Sequence, residues 1–265
     1  MKKVTISHPL QSSFSISTND DALLCLLKLK YGKYLLEDLP HADHTLCVAR
    51  HGNGYSFASD FYSNTTNTPL HEIDRYIFDH TTYDERILAL HGAAVEWKQE
   101  AYLFLAATTS GKTTLTSYLT HCGCGYLTDD CILIDRESFS VHPFTTPIHL
   151  RDGGLEVLKN YHAVPNGLAL LEEGQALRRW VYTPAKCIET AIPLKKIFFI
   201  ERTDSENSLT GMNATERITA LMKSPITNYN VTGDYLRLLA RLAKIDCHIL
   251  RYCDMNYVKE LIQNG

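Results

Sequence analysis

Three absences narrow the field. No stretch approaches the roughly 18 apolar residues of a membrane-spanning helix. The opening, Met1-Lys2-Lys3-Val4-Thr5-Ile6-Ser7-His8, has lysines but no apolar run behind them, and a secretory signal needs one. The expectation is a cytoplasmic protein with no membrane partner. No Cys-x-x-Cys pair occurs among the cysteines at positions 25, 47, 122, 124, 131, 187, 247 and 253. Cys122 and Cys124 flank Gly123, a poor spacing for gripping zinc together. Cys25, Cys47, Cys131 and Cys247 lie in apolar runs, where a thiol acts as a small hydrophobe. Reduced, structural cysteines are therefore expected. Charge of one sign is also missing: the net charge is −4, with acids and bases mixed along the chain. That balance argues against a nucleic-acid partner.

What is present suits a folded α/β protein. With 265 residues and 45% hydrophobic content, the chain can bury a sizeable core. Residues 1–84 read as a small α+β unit. Asp21–Lys30 is a short helix capped by Asn19 or Asp20, and His51-Gly52-Asn53-Gly54 is a hairpin loop between Thr45–Ala49 and Tyr55–Ala58. After Pro69, Leu70, Ile73 and Ile77 recur at helical spacing. From residue 85 to 265 apolar strands alternate with helices. Strands are expected at Ile87–Val95, Ala101–Ala106, Tyr126–Thr128, Cys131–Asp135, Lys196–Ile200 and Cys247–Tyr252. Helices are expected at Lys112–Thr120, from Asn213 (a capping box with Glu216) to Lys223, at Tyr235–Lys244 and at Met255–Gln263. This alternation predicts an α/β core.

The chemistry concentrates in Ala106-Ala107-Thr108-Thr109-Ser110-Gly111-Lys112-Thr113-Thr114, directly after the strand Tyr102–Leu105. A phosphate-binding loop joins a strand to a helix in the pattern G-x-x-x-x-G-K-[S/T]. Its backbone N–H groups point at a phosphate, and the helix N-terminus adds partial positive charge. Lys112 would reach the β- and γ-phosphates and the Thr113 hydroxyl would ligate Mg²⁺. Ala106 stands in place of the first glycine, at a cost on the order of 1 kcal/mol if that position needs a left-handed backbone. Thr109 stands where related loops often carry a further glycine.

A returning strand placed beside the phosphate-loop strand would deliver Asp129 and Asp130 near the γ-phosphate. One can accept the proton of an acceptor hydroxyl and the other can hold Mg²⁺ or its waters. Asp135 competes as an acid after Ile132-Leu133-Ile134 and ranks behind them. His91 could hydrogen-bond an aspartate and keep it ionised.

The blocks Leu90-His91-Gly92-Ala93-Ala94-Val95, Ser110-Gly111-Lys112-Thr113-Thr114-Leu115-Thr116 and Gly125-Tyr126-Leu127-Thr128-Asp129-Asp130 resemble the catalytic domain of HPr kinase/phosphorylase. They look closer still to the shorter HPr-kinase-like proteins that phosphorylate peptides in ribosomal natural-product clusters, such as lasso peptide kinases. The resemblance covers residues 85–155, and Pro143-Phe144 through Arg151 continue it. It implies a P-loop core of the HPr-kinase-like and PEP-carboxykinase-like type, and transfer from ATP with Mg²⁺ to a serine of a peptide or small protein. The implied nucleotide-binding residues are Ala107, Thr108, Thr109, Ser110, Gly111, Lys112, Thr113 and Thr114. Lys112, Asp129, Asp130 and His91 would be catalytic; Asp129 matches the proton-accepting aspartate, and Asp130 the neighbour that contacts the histidine matching His91. Thr113 and Asp130 would serve the metal.

Departures accompany the likeness. Thr114 stands where HPr kinases carry a glutamate, and the segment linked to phosphorolysis has its nearest approach in His149-Leu150-Arg151-Asp152-Gly153-Gly154-Leu155. Both argue against phosphorylase activity and against HPr as substrate. Arg151, Arg178, Arg179 and Lys186 are candidates for touching phosphate or peptide. The N-terminal unit could receive the acceptor, and a homo-oligomer stays open. Two rival readings remain, a small-molecule kinase and a nucleotide-sensing module without turnover.

Overall fold

A computed structural model describes residues 1–10, 12–37, 41–59, 62–66, 68–81, 85–173, 177–224 and 232–264. Contacts divide the chain into two units, Met1–Asp84 and Glu85–Gly265. The first begins with strands β1 (Lys2–Ser7) and β2 (Ser13–Thr18), then helix α1 (Asp21–Tyr31). Asp20 starts the helix because its Oδ1 accepts from the amides of Ala22 and Leu23, satisfying two donors that lack helical partners. Leu23, Leu24, Leu27 and Tyr31 form the buried stripe. Cys25 is exposed, a correction to its expected core role: on a helix it falls outside that stripe.

Strands β3 (Leu35–Leu36), β4 (His44–His51), β5 (Gly54–Ser59) and β6 (Tyr62–Thr66) complete a sheet of order β3-β1-β2-β4-β5-β6. The β4–β5 hairpin turns at Gly52-Asn53, where Gly52 takes φ 59°, a conformation that favours glycine. Helix α2 (Pro69–Thr81) buries Leu70, Ile73 and Ile77.

The second unit opens with β7 (Ile87–Trp97) and β8 (Glu100–Leu105), an antiparallel pair. Helix α3 (Lys112–His121), β9 (Gly125–Thr128), β10 (Cys131–Asp135) and β11 (Ser140–His142) follow. Strand β12 (Ile148–Leu150), helix α4 (Asp152–Asn160), and strands β13 (Ala169–Glu173) and β14 (Leu177–Tyr182) build a separate sheet of order β12-β14-β13. The chain ends with β15 (Ile192–Arg202), β16 (Ser208–Gly211), α5 (Ala214–Met222), α6 (Gly233–Leu242), β17 (Asp246–Tyr252) and α7 (Met255–Gln263).

The main sheet runs β11-β10-β7-β8-β15-β17-β16, with β8, β15 and β17 mutually parallel at its centre. Both faces of β8 are covered. Tyr102 and Phe104 pack with Leu115, Tyr118 and Leu119 of α3, and Phe104 stacks on Phe198 at 5.7 Å between centroids. Leu103 and Leu105 alternate to the opposite face, with Leu221 of α5 and Leu238, Leu239 and Leu242 of α6. Each such fully buried side chain contributes about 1.5–3 kcal/mol. The result is a helix–sheet–helix α/β core. Among the described residues no helix is long and apolar enough to cross a membrane.

One expectation about this sheet fails. Strand β9 pairs with β7, not with β8, the strand before the expected phosphate-binding loop. Strand β7 is long enough to hydrogen-bond β10 through residues 87–91 and β8 through residues 92–97, so it occupies the position beside β8.

Candidate active site

The centre of the site is the junction between β8 and α3. Strand β8 is wholly apolar from Ala101 to Leu105 and ends where Ala106 begins the loop. Helix α3 starts after Gly111, at φ 94° and ψ 10°, and no side chain caps its first turn. Its leading amides are thus available to an anion. Lys112 is 6% exposed, and its Nζ donates to the carbonyls of Ala106 (2.9 Å) and Ala107 (3.0 Å). An ammonium has three N–H donors, which leaves one beyond those two. Burial lowers the Lys112 pKa, while the charges of Asp129 and Asp130 oppose the shift. Among the described residues the buried Ser110 hydroxyl has no hydrogen-bond partner, an orphaned donor inside the loop.

The loop relocates the expected backbone strain. Ala106 is not among the residues of positive φ; Thr109 is, at φ 69°. Replacing the first glycine by alanine therefore costs nothing at position 106, while the threonine carries the left-handed penalty. Thr109→Gly should raise stability by about 0.5 kcal/mol, because relief of that penalty exceeds the added unfolded-state entropy. Ala106→Gly should give no gain. Urea midpoints of both variants check this pair, and a gain at position 106 would contradict the loop geometry.

The acids arrive from the turn between β9 and β10. Cys131 pairs with His91, and the amide of Gly92 donates to the Asp130 carbonyl at 3.3 Å. Gly92 in turn pairs with Leu105, the last residue before the loop. Two strand spacings of about 4.8 Å thus put the acidic turn roughly 10 Å from the loop's root. His91 Nδ1 lies 3.4 Å from Asp130 Oδ1. Burial lowers the His91 pKa; Asp130 raises it and Lys112 lowers it further, so the ring is held neutral near pH 7. Asp129 is half-buried and Asp130 exposed. Asp135 is engaged elsewhere: its Oδ1 accepts from the amides of Glu137 and Ser138 and from the Ser138 hydroxyl.

These groups share one cleft of about 440 Å³. Its wall comprises His91, Thr108 to Thr114, Asp129, Asp130, His149, Leu150, Arg151, Gly153, Gly154, Arg179 and Arg202. Ala107 contributes its carbonyl to Lys112 instead of lining the cleft. Arg179 faces in while Arg178, its neighbour on β14, turns to Asp152 (3.8 Å) and the Trp180 ring, as strand alternation requires. Lys186 lies outside the cleft, paired with the buried carboxylate of Glu96 at 2.7 Å. Arg178 and Lys186 are thus set apart from the other sequence candidates. Burial lowers the Arg179 pKa, and neighbouring Arg151 lowers it further. Thr114 meets α4: a Cβ added at Gly154 would lie 2.8 Å from its Oγ1. Among the described residues no group of three or more His, Cys, Asp or Glu is placed to hold a metal.

Arg202 has no counterpart in the sequence reading. The signal was a charged residue ending an apolar strand, which acquires meaning only when that strand is known to neighbour β8. No family model matches the chain, and no curated protein does. Among solved structures, the Hpr(Ser) kinase/phosphatase from Coxiella burnetii aligns with 66% of this chain and 94% of its own. The identity is 11% and the TM-score 0.34.

Proposed function

We propose that the cleft transfers the γ-phosphoryl group of ATP to a serine hydroxyl of a peptide or small protein, with a ribosomal natural-product precursor as the leading acceptor. One observation carries this reading: an uncapped helix N-terminus with a buried lysine shares its cleft with two adjacent aspartates. The loop amides of residues 107–114 and the third N–H of Lys112 would hold the β- and γ-phosphates, with Ser110 gaining the partner it lacks. Asp129 would take the acceptor proton as the hydroxyl oxygen bonds to the γ-phosphorus. The bond from that phosphorus to the β,γ-bridging oxygen breaks, and ADP leaves with the electron pair. Positive charge from Lys112 and the helix end stabilises the negative charge that develops there.

Thr113 and Asp130 would serve Mg²⁺, which neutralises phosphate oxygens when bound. Two oxygen donors without a larger cluster suit an ion that takes most of its ligands from phosphates and water. His91 would orient Asp130 from the neighbouring strand.

Titration calorimetry tests the foundation without knowledge of the acceptor. Mg·ATP should bind the wild type at micromolar Kd, and Lys112→Ala should weaken this by at least tenfold. A wild type that binds no Mg·ATP would overturn the function.

A further inference from the structure

Strand β15 ends at Arg202, and its register against β8 fixes where that residue lies. Phe198 pairs with Phe104 and Phe199 with Leu105, so Arg202 stands beyond the level at which β8 gives way to the phosphate loop. Alternation puts Phe198, Ile200 and Arg202 on one face. Phe198 and Ile200 pack in the same cluster as Leu115, Tyr118 and Leu119 of α3. Arg202 thus continues the α3 side of the sheet past the core, and its side chain lines the cleft. Its partner on β17 is Tyr252, whose hydroxyl lies 3.5 Å from where a Cβ on Gly111 would stand. One aromatic ring therefore separates Arg202 from the start of α3.

The charge at Arg202 is unspent. The adjacent acid, Glu201, alternates to the other face and accepts from Arg251 Nε at 2.7 Å. Among the described residues Arg202 has no side-chain hydrogen bond or ion pair. Its positive charge does act on Tyr252, where it opposes the burial that pushes the phenol up to about 12.

Sheet order sets Arg202 apart from the acids. Along β10-β7-β8-β15, Asp130 is attached on the β7 side of the loop strand and Arg202 ends the strand on the other side. A γ-phosphoryl group turned toward the acids leaves the rest of the nucleotide on the Arg202 side.

We propose that Arg202 is a nucleotide-binding residue whose guanidinium grips the α- and β-phosphate oxygens, the ones that stay on the nucleotide after transfer. The inference rests on the cleft being an ATP site. A planar fork of N–H donors suits two phosphate oxygens at once, which a lysine ammonium cannot reproduce.

The test is calorimetric titration of Mg·ATP and Mg·ADP into wild type, Arg202→Ala and Arg202→Lys, each first shown to share the wild-type urea midpoint. Arg202→Ala should weaken both nucleotides about tenfold and by the same factor, and Arg202→Lys should recover part of the loss. Equal affinity in wild type and Arg202→Ala overturns this inference alone. So does a loss confined to ATP, which would put the guanidinium at the γ-phosphate. A wild type that binds neither nucleotide overturns the proposed function with it.

Discussion

Asp129→Asn should lower turnover by about 10²–10⁴-fold while leaving the Kd for Mg·ATP within about twofold. The amide keeps the shape and cannot take the acceptor proton. Asp129 is half-buried in the cleft, and its charge supports the protonated form of Lys112. ADP release is the readout, with serine-containing peptides as acceptors and water as the acceptor of last resort. Retained binding with lost turnover separates proton transfer from nucleotide capture. Loss of both would move Asp129 to a phosphate- or metal-binding role. Turnover equal to wild type would remove it from the chemistry, and no turnover in either protein would favour the nucleotide-sensing module.

Gly92→Ala should be strongly damaging for a single added methyl group in the core. A Cβ there would stand 2.7 Å from the Phe104 carbonyl oxygen, 2.6 Å from Leu105 Cδ2 and 2.7 Å from Ile132 Cδ1. The two side-chain ends can rotate away, but the carbonyl belongs to the sheet ladder. Overpacking of this kind costs about 1–3 kcal/mol. Gly92 also links the acidic turn to the loop's root through its amide and its pairing with Leu105. Turnover should therefore fall further than the stability loss explains, because a small displacement of reacting groups costs rate steeply. Gly153→Ala is the control: nothing lies within 4 Å of its Cβ, and helical alanine should leave the urea midpoint unchanged or raised. Equal midpoints for Gly92→Ala and wild type would show that the strands yield there.

Much of the core was legible because local physics fixed it. The all-apolar run before Ala106, the helical spacing of Leu115 and Leu119, and the reciprocal cap of Asn213 and Glu216 each act within a few residues. Sheet order does not. A sequence cannot say that β7 would take the place beside β8 and send β9 to β7's other edge. The Arg178–Arg179 pair shows the same limit, since alternation guarantees that they diverge without saying which faces the cleft. Loop strain was legible as a quantity and misplaced in position: two non-glycine residues were open to it, and the backbone path assigned it to Thr109. Arg202 lay beyond the expected strand end at Ile200, and its value comes from a parallel neighbour roughly a hundred residues earlier in the chain.

The position of β8 has a consequence for time as well as place. It is hydrogen-bonded on both edges, by β7 and β15, and none of its residues from Ala101 to Leu105 is more than 2% exposed. Amides in such a strand exchange with solvent mainly when the whole unit unfolds. Thr108 and Thr109, a few residues on, are exposed and lie outside any ladder. Within about one helical turn's length of sequence, slow exchange is therefore expected to give way to fast exchange. Local opening of this exposed segment should therefore leave the buried strand that anchors it intact.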